Sequence, residues 1–378
     1  MLSESKKGLE TVALLIGTIV GAGILGIPFV VAQVGIGIGV AYIIGAGLLF
    51  LVLNLMMGEV VARTRQPRQL AGLSKKYLGA WGGRLSVMAL YLGAYSAMLA
   101  YIIGEGEVLA AILGGTPFFW SIVFFIAGAA LLARQIKSIA IFELLFTIAI
   151  FVVVIIIAAA SSAQLSLDNL ITVNWPSFFL PFGVMLFAFG GTGAIPQMEE
   201  LIPDNPRRLR WAIAVGSLVP IALYLIFAVI VVGVTGSATT EVATVGLGQR
   251  LGSWALILGN IFAFFTMSTS FVMSGVILRR SFEWDWNISS KLSWPLVVAP
   301  PILVFLAGVN SFIGVLNITG AIVGGILAIL IVLAFWRAKK MGDIKSRIFN
   351  LRRSLLIGIF LILVFAIGSV YAVIDMLR

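Results

Sequence analysis

The sequence contains no cysteine and no histidine. Without cysteine there is no disulfide framework, and without either residue there is no zinc site of the cysteine and histidine type. A Ser-His-Asp triad and a histidine proton relay are excluded for the same reason. Any proton chemistry must therefore use carboxylates, tyrosines or lysines.

Charged residues are also scarce, at 11% of the chain against 61% hydrophobic residues. Soluble globular proteins carry about 25% charged residues, so this composition leaves too little polar surface to cover a water-exposed molecule. From Thr11 to Gly58 there is no Asp, Glu, Lys or Arg, and a membrane-spanning helix needs only ~20 predominantly apolar residues. The chain is therefore predicted to be an all-α integral membrane protein.

Charged segments and Gly or Pro breaks divide the chain into eleven predicted spans of roughly membrane length. The spans cover residues 12–34, 40–62, 85–113, 118–133, 139–160, 176–198, 212–234, 253–278, 294–309, 313–336 and 355–377. The longest loop, 67–83, is too short to bury a core and is predicted to carry a short amphipathic surface helix. Residues 1–378 are thus predicted to form one transmembrane domain.

The positions of the basic residues predict the orientation in the membrane. If the amino terminus is cytoplasmic, every Lys and Arg except Arg250 and Arg378 falls on the inner side, where these residues are enriched. The prediction is a multi-pass plasma-membrane protein with a cytoplasmic amino terminus and an extracytoplasmic carboxyl terminus. This placement accounts for the net charge of +10, so the predicted surroundings are a lipid bilayer and no nucleic-acid partner is expected.

Two spans contain clusters of helix-weakening residues. The first reads GTIVGAGILGIP from Gly17 to Pro28, and the sixth reads FAFGGTGAIP from Phe187 to Pro196. Glycine costs ~1 kcal/mol and proline ~3 kcal/mol in a helix interior, so both helices are predicted to be interrupted. Close helix packing by small residues would explain either motif alone. Their repetition, with one motif opening each half of a ten-helix core, instead indicates an inverted-repeat transporter with its site between the repeats.

These breaks suit a zwitterionic ligand. The half-helix after a break presents N–H groups that favour a carboxylate, and the half before it presents carbonyls that favour an ammonium group or Na⁺. The breaks carry no fixed charge. A neutral or apolar amino acid is therefore the predicted substrate.

Several motifs together carry a family resemblance. They are Gly21-Ala-Gly23-Ile, Phe187-Ala-Phe-Gly-Gly, Glu199-Glu200-Leu-Ile-Pro-Asp-Asn-Pro206-Arg-Arg, and the stretch from Gly93-Ala-Tyr95-Ser-Ala97 to Tyr101-Ile-Ile-Gly-Glu105. With them the chain resembles the amino acid–polyamine–organocation superfamily, in its amino acid/auxin permease or aromatic amino acid permease branch. The resemblance covers essentially the whole chain. It implies a leucine-transporter-type 5+5 inverted repeat, with repeats at 11–161 and 175–337 and an additional peripheral helix at 354–377.

The same resemblance implies a substrate site at the two breaks. In the Gly21 motif, the N–H groups of Ala22, Gly23 and Ile24 would hold the substrate carboxylate. Carbonyls would hold the ammonium group, and an aromatic gate would close the site. The implied carbonyls are those of Ile19, Phe187, Ala188 and Gly190, and the implied gate is Phe187 or Phe189.

The eighth span is rich in hydroxyls, reading Thr-Met-Ser-Thr-Ser from Thr266 to Ser270. Such hydroxyls commonly bond to their own helix or to a neighbouring one. In sodium-coupled relatives with this fold they bind Na⁺ together with first-helix carbonyls. The resemblance therefore implies a Na⁺ site formed by Thr269, Ser270 and the carbonyls of Gly17, Val20 and Thr266. No other cofactor is predicted.

Proton coupling is the other option, because the family also has proton-coupled members. The fifth span has no lysine to mimic a sodium ion, which favours Na⁺. Glu105 in the third span is nevertheless a candidate for proton coupling or gating, because a carboxylate inside a membrane is costly and usually functional. The alternative is a carboxylate hydrated near an outer vestibule.

These observations predict a secondary active transporter that moves a neutral or apolar amino acid by Na⁺- or H⁺-coupled alternating access. The alternative is a non-transporting amino acid sensor that resembles a germinant-receptor subunit on the same fold. A channel is disfavoured because no filter motif is present. An enzyme is not expected, since no nucleophile and base constellation occurs among the spans.

Overall fold

The structure is a computed structural model, and it describes residues 2–66, 68–133, 140–171, 173–203, 205–285, 287–344 and 354–376. Within these ranges all regular secondary structure is helical, in agreement with the predicted all-α class. Two predicted span ends, Ile139 and Leu377, lie outside the described residues. So do seven basic residues of the orientation argument, namely Arg134, Lys137, Lys345, Arg347, Arg352, Arg353 and Arg378.

The first half of the chain forms six α-helices. They are α1 (Leu2–Ile19), α2 (Gly23–Val34), α3 (Ile36–Ala62), α4 (Leu70–Leu113), α5 (Pro117–Ala133) and α6 (Ala140–Ser161). Gly35, at the junction of α2 and α3, has a φ of 90°, and Gly114, after α4, has a φ of 77°. Glycine reaches this region without steric cost, so these residues turn the chain between helices.

Short 3₁₀ segments at Ser162–Gln164, Leu167–Leu170 and Trp175–Ser177 lead into the second half. Its helices are α7 (Pro181–Ala188), α8 (Ile195–Leu201), α9 (Pro206–Thr235), α10 (Ala243–Leu251), α11 (Ser253–Asp285), α12 (Ser290–Leu306), α13 (Phe312–Ile318), α14 (Gly325–Met341) and α15 (Ser354–Met376). Further 3₁₀ segments lie at Thr192–Ala194 and Gly236–Ala238, and a π-helical segment, Thr319–Gly324, joins α13 to α14.

Six helices among the described residues are long and apolar enough to cross a membrane. The pair Lys7–Ile19 and Gly23–Val34, bent by 52° at its break, makes a seventh span if it is counted as one. Three shorter apolar helices accompany them, at Pro117–Ala133, Ile148–Gln164 and Ser290–Leu306. The protein is thus a multi-pass helical membrane protein, while the count of eleven spans and the inverted repeat stay predictions.

The loop predicted to carry a surface helix contains the first part of α4. Helical dihedral angles are interrupted at Gly79, with φ of 78°, so Leu70 to Leu78 form a separate segment. Its buried residues Leu70, Leu73, Ser74 and Tyr77 follow helical spacing. The segment is therefore amphipathic, as predicted. The Tyr77 and Thr64 hydroxyls are hydrogen-bonded at 2.7 Å and attach the segment to the end of α3.

The chain after α14 is tied to the same loop. The Asp343 carboxylate accepts hydrogen bonds from Lys76 Nζ and from the Arg65 backbone N–H, the latter at 3.0 Å. The Lys76 hydrogen bond, helped by the Arg65 N–H, holds the pKa of Asp343 below its ordinary value. The Ile344 N–H donates to the Arg63 carbonyl at 3.2 Å. These bonds connect the ends of α3 and α14 with the first segment of α4.

Candidate functional site

Both predicted helix interruptions are present. The chain leaves α1 at Ile19 and enters α2 at Gly23, and it leaves α7 at Ala188 and enters α8 at Ile195 after a 3₁₀ turn. We call residues 20–22 the first break and residues 189–194 the second break. Helix-weakening residues at both places give this result, because glycine lowers the cost of leaving the helix.

The residues at the edges of the two breaks are in direct contact. A Cβ atom added to Gly23 would lie 2.5 Å from Ala188 Cα and 2.6 Å from Ala188 Cβ, closer than real Cβ contacts. Gly191, in turn, packs against the Ile19 side chain. Gly23 has no room for a side chain because the Ala188 backbone lies against it, whereas at Gly191 the space is taken by the Ile19 side chain.

A cavity of about 230 Å³ lies where the breaks meet. Six of the predicted substrate residues line it, namely Ile19, Gly21, Ala22, Gly23, Phe187 and Gly190. The other predicted substrate residues, Ile24, Ala188 and Phe189, are buried behind the wall. The cavity is somewhat smaller than the ~300 Å³ at which drug-sized ligand pockets begin. It is therefore suited to a single small molecule.

Backbone donors are available at the first break. Within the described part of the chain, no carbonyl accepts from the Ala22 or Gly23 N–H groups, and both residues line the cavity. The Ile24 N–H, which was predicted to join them, donates instead to the Gly21 carbonyl at 3.3 Å. Two of the three predicted N–H groups are thus free to bind an anion, as at a helix amino terminus.

The predicted carbonyls differ in what they already bind. The Ile19 and Ala188 carbonyls each accept a hydrogen bond from the Tyr224 hydroxyl, at 2.9 Å in both cases, and the Ile19 carbonyl also accepts from the Gly21 N–H at 3.0 Å. The Phe187 carbonyl accepts from the Gly190 N–H at 3.1 Å. Among the described residues, no donor reaches the Gly190 carbonyl. It is therefore the predicted carbonyl with both lone pairs available to an ammonium group.

The two phenylalanines predicted as gate residues, Phe187 at the end of α7 and Phe189 in the second break, have different surroundings. Phe187 is partly buried and lines the cavity. Phe189 is 1% exposed, lies 5.0 Å from the Tyr224 ring centroid and stacks on Phe50 at 6.4 Å. Of the two predicted gate residues, only Phe187 is therefore placed to contact a ligand.

Helices α4 and α11 complete one wall and pair there through polar groups. Tyr101 of α4 and Ser270 of α11 both line the cavity. One helical turn further along α4, Glu105 Oε1 accepts a hydrogen bond from Ser268 Oγ at 2.9 Å. Glu105 is 0% exposed, and its Oε2 atom has no hydrogen-bond partner within the described ranges. This burial differs from the alternative considered from the sequence, a carboxylate hydrated near an outer vestibule.

The predicted Na⁺ ligands are only partly brought together. Ser270 reaches the first break, since a Cβ on Gly21 would lie 3.6 Å from Ser270 Oγ. The Thr266 and Thr269 hydroxyls donate to carbonyls of their own helix, at 2.9 Å to Phe262 and 2.9 Å to Phe265. Their oxygens keep lone pairs, and the Gly17 and Val20 carbonyls accept no hydrogen bond from the described residues. Neutral oxygens of this kind fit Na⁺, although of this set only Ser270 lines the cavity.

The sequence did not indicate that the tenth span forms the opposite wall. The π-helical segment supplies Thr319, Gly320, Val323 and Gly324 to the cavity. A Cβ on Gly320 would lie 2.6 Å from the Phe187 backbone nitrogen, so the segment packs closely on α7. Single π-helical turns occur frequently at functional sites. The small-residue run TGAIVGG from Thr319 to Gly325 was the available signal.

Helix α15, predicted to be peripheral, contacts this wall. Ser369 Oγ donates to the Ala321 carbonyl within the π-helical segment at 2.5 Å. Gly325 packs against Ser369, and the Phe365 ring meets Phe50 at 6.1 Å. The eleventh predicted span therefore supports the cavity wall.

Replacing Ser369 by alanine is expected to weaken substrate binding roughly five-fold, because a lost hydrogen bond is worth about 1 kcal/mol and frees the Ala321 carbonyl. The measurement is the substrate dissociation constant of purified protein. Ser162→Ala removes a hydroxyl that donates to Ala159 near the end of α6 and should change nothing. Equal affinities of Ser369→Ala and the unmutated protein would show that α15 does not support the site.

Comparison with known proteins identifies the family. The model of the tryptophan/tyrosine permease family matches residues 4–374. The chain belongs to this family. The permease is therefore a transporter-family protein and no enzyme, and the resemblance inferred from its motifs is confirmed.

Individual relatives of the permease are transporters of different substrates. Tyrosine-specific transport system 1 of Haemophilus influenzae is 24% identical over 366 residues, covering 88% of the chain and 89% of that protein. Glutamine transporter 2 of Aliivibrio fischeri is 26% identical, covering 85% of the chain and 86% of that protein. Amino acid transporter AVT1H of Arabidopsis thaliana is 23% identical, covering 88% of the chain and 82% of that protein.

A solved structure shares the fold of the permease. The crystal structure of MhsT in complex with L-phenylalanine superposes with a TM-score of 0.65 at 16% identity. The match covers 97% of the permease and 98% of that chain. The predicted leucine-transporter-like architecture is thus supported at the level of the fold.

Proposed function

We propose that this permease is a secondary active transporter that moves a neutral or apolar amino acid by cation-coupled alternating access. The observation that carries the proposal is the cavity at the contact of the two breaks, with the Ala22 and Gly23 N–H groups unpaired beside it. Family membership and the tyrosine, glutamine and amino acid transporters among the relatives support it.

The substrate would be held through its backbone groups. Its carboxylate binds the Ala22 and Gly23 N–H groups, where a helix start favours negative charge. Its ammonium group binds the Gly190 carbonyl, close to the face of Phe187. The residues that line the cavity include no charged side chain, and Leu186, Val323 and Leu327 offer apolar surface. An uncharged substrate side chain is therefore favoured.

In this proposal the chain has eleven spans, with the amino terminus in the cytoplasm and the carboxyl terminus outside the plasma membrane. The shorter apolar helices and the broken α7 and α8 pair complete the count. Two inverted repeats, 11–161 and 175–337, enclose the site, and the helix at 354–377 flanks them. Transport arises when the bundle formed by α1 to α3 and α7 to α9 rocks against the other helices.

The coupling cation has two candidate sites, one for Na⁺ and one for H⁺. Na⁺ would bind the Gly17, Val20 and Thr266 carbonyls with the Thr269 and Ser270 hydroxyls. H⁺ would bind Glu105, whose burial without a hydrogen-bonded cation favours its neutral, protonated form. Both sites lie on the helices that line the cavity, so either can respond to the substrate.

Transport is tested by uptake of radiolabelled amino acids into proteoliposomes. An inward Na⁺ gradient, an inward H⁺ gradient and no gradient are compared for a mixture that includes tyrosine, phenylalanine and glutamine. We expect accumulation above the external concentration with one gradient and only equilibration without any. Saturable binding without uptake under all three conditions would contradict transport and support the amino acid sensor.

A further inference from the structure

Tyr224 stands apart from the site described so far. It lies in the middle of α9, is 0% exposed and does not line the cavity. Its hydroxyl nevertheless donates to the Ile19 carbonyl at the end of α1 and to the Ala188 carbonyl at the end of α7. These are the last residues before the first and the second break. One side chain thus reaches both interrupted helices at the points where they stop.

This arrangement meets a general requirement of broken helices in membranes. A carbonyl released from its helix in a dry interior needs a donor, because leaving it unpaired costs several kcal/mol in hydrocarbon. Among the described residues Tyr224 is the donor to the Ala188 carbonyl, whereas the Ile19 carbonyl also accepts from the Gly21 N–H at 3.0 Å. The phenol has a single hydrogen, which is shared between two acceptors at 2.9 Å each. If the residues at one break move away from the Tyr224 hydroxyl, its hydrogen bond to the other break must therefore change as well.

The surroundings fix the phenol in place. The Tyr224 ring packs edge-on against Phe189 with centroids 5.0 Å apart, and Phe189 stacks on Phe50 from α3. The Gly23 and Ala188 backbones are themselves in close contact. The ring contacts of Tyr224 with Phe189, and of Phe189 with Phe50, therefore orient the Tyr224 hydroxyl toward both carbonyls.

We propose that Tyr224 is a positioning residue that makes the first and second breaks change conformation together during the transport cycle. The proposal rests on the proposed function, since it assumes that an amino acid bound between the breaks moves them. Tyr224 acts through the two carbonyls and does not touch the substrate. Replacing Tyr224 should therefore allow the two breaks to change conformation independently, while substrate binding persists.

The experiment uses the absence of native cysteine, because an introduced thiol is the only one in the chain. Thr18→Cys and Gly193→Cys place single thiols at exposed positions, the first on the cavity wall beside the first break and the second within the second break. Each is made in the full-length protein, with and without Tyr224→Phe, and is labelled with a membrane-impermeant maleimide. Labelling is followed against the concentration of the amino acid that gives the largest response in the unmutated background.

The midpoint is the amino acid concentration that gives half of the full change in labelling. In the unmutated background the two thiols should have the same midpoint. With Tyr224→Phe we expect the midpoints to differ at least three-fold, or one thiol to stop responding. Binding measured directly should change less than five-fold, and the maximal uptake rate should fall more than ten-fold. Coincident midpoints in Tyr224→Phe would overturn the proposal. If no amino acid alters labelling in the unmutated background, the proposed function itself fails.

A matched control removes a similar hydrogen bond elsewhere. The Tyr95 hydroxyl of α4 donates to the Leu296 carbonyl of α12 at 2.7 Å, away from both breaks. Tyr95→Phe should leave the two midpoints equal. Phe189→Leu covers the case in which Tyr224→Phe folds poorly, because it keeps the hydroxyl but loosens the ring that aims it. This variant should separate the midpoints to a smaller degree, and equal midpoints in it would also count against the proposal.

Discussion

Replacing Gly23 by alanine is expected to reduce substrate affinity and uptake by about 10- to 100-fold. The new methyl group would lie 2.5 Å from Ala188 Cα, so the two breaks must move apart. Overpacking of this kind costs typically ~1–3 kcal/mol, and each 1.4 kcal/mol is worth a factor of ten in an equilibrium constant. Because Gly23 also supplies an N–H group beside the cavity, the displacement acts directly on the predicted carboxylate site.

The measurements are the substrate dissociation constant and the initial rate of uptake in proteoliposomes, with the thermal unfolding midpoint recorded alongside. Gly45→Ala is the matched control, because Gly45 lies within α3 and a Cβ there meets nothing within 4 Å. Alanine should stabilise that helix slightly and leave transport unchanged. Normal affinity in Gly23→Ala would mean that the contact of the breaks does not shape the site.

Much of this arrangement could be predicted from the sequence, because the relevant physics is local. Helix-weakening residues inside an apolar span predict an interruption wherever they cluster. The breaks beside Gly23 and Gly191, and the amphipathic segment before Gly79, follow from this reasoning. The repetition of the motif also predicts a site between the two halves, and the Gly23 to Ala188 contact places the two breaks side by side.

The parts that were not predicted depend on contacts between distant residues. Nothing near Tyr224 in the sequence indicates that its hydroxyl reaches Ile19 and Ala188. The π-helical segment is likewise predicted to be ordinary α-helix, since Thr319 and Gly320 fit the apolar span 313–336. Phe189 and Phe187 could not be told apart as gate residues, because their roles depend on which way each ring faces.

If H⁺ is the coupling cation, Glu105→Gln is expected to abolish accumulation driven by an inward H⁺ gradient. The amide has nearly the shape of the protonated carboxyl and can still accept a hydrogen bond from Ser268 Oγ, now 2.9 Å from Glu105 Oε1. It cannot bind or release a proton. Uptake with the gradient should therefore fall to the level without it, a loss of ten-fold or more, while exchange of internal for external substrate continues.

The physical reason lies in the dry surroundings of this carboxyl. Gly104 beside it packs against Met267 and Phe312, and Gly106 packs against Ser121. Leaving a carboxylate charged at a site without a cation costs several kcal/mol, so release of the proton requires the site to open to water. Coupling follows if the movement that opens the Glu105 site is the one that opens the cavity beside Tyr101, one helical turn away on α4.

Glu107→Gln supplies the matched control, since Glu107 is only partly buried and points away from Glu105 on the helix. It should keep H⁺-driven accumulation. Full accumulation in Glu105→Gln under the H⁺ gradient would exclude Glu105 as the coupling group. If a Na⁺ gradient alone drives the unmutated protein and Ser270→Ala abolishes that uptake, the oxygens of the first break and α11 carry the cation, and Glu105 with Ser268 serves to hold α4 against α11.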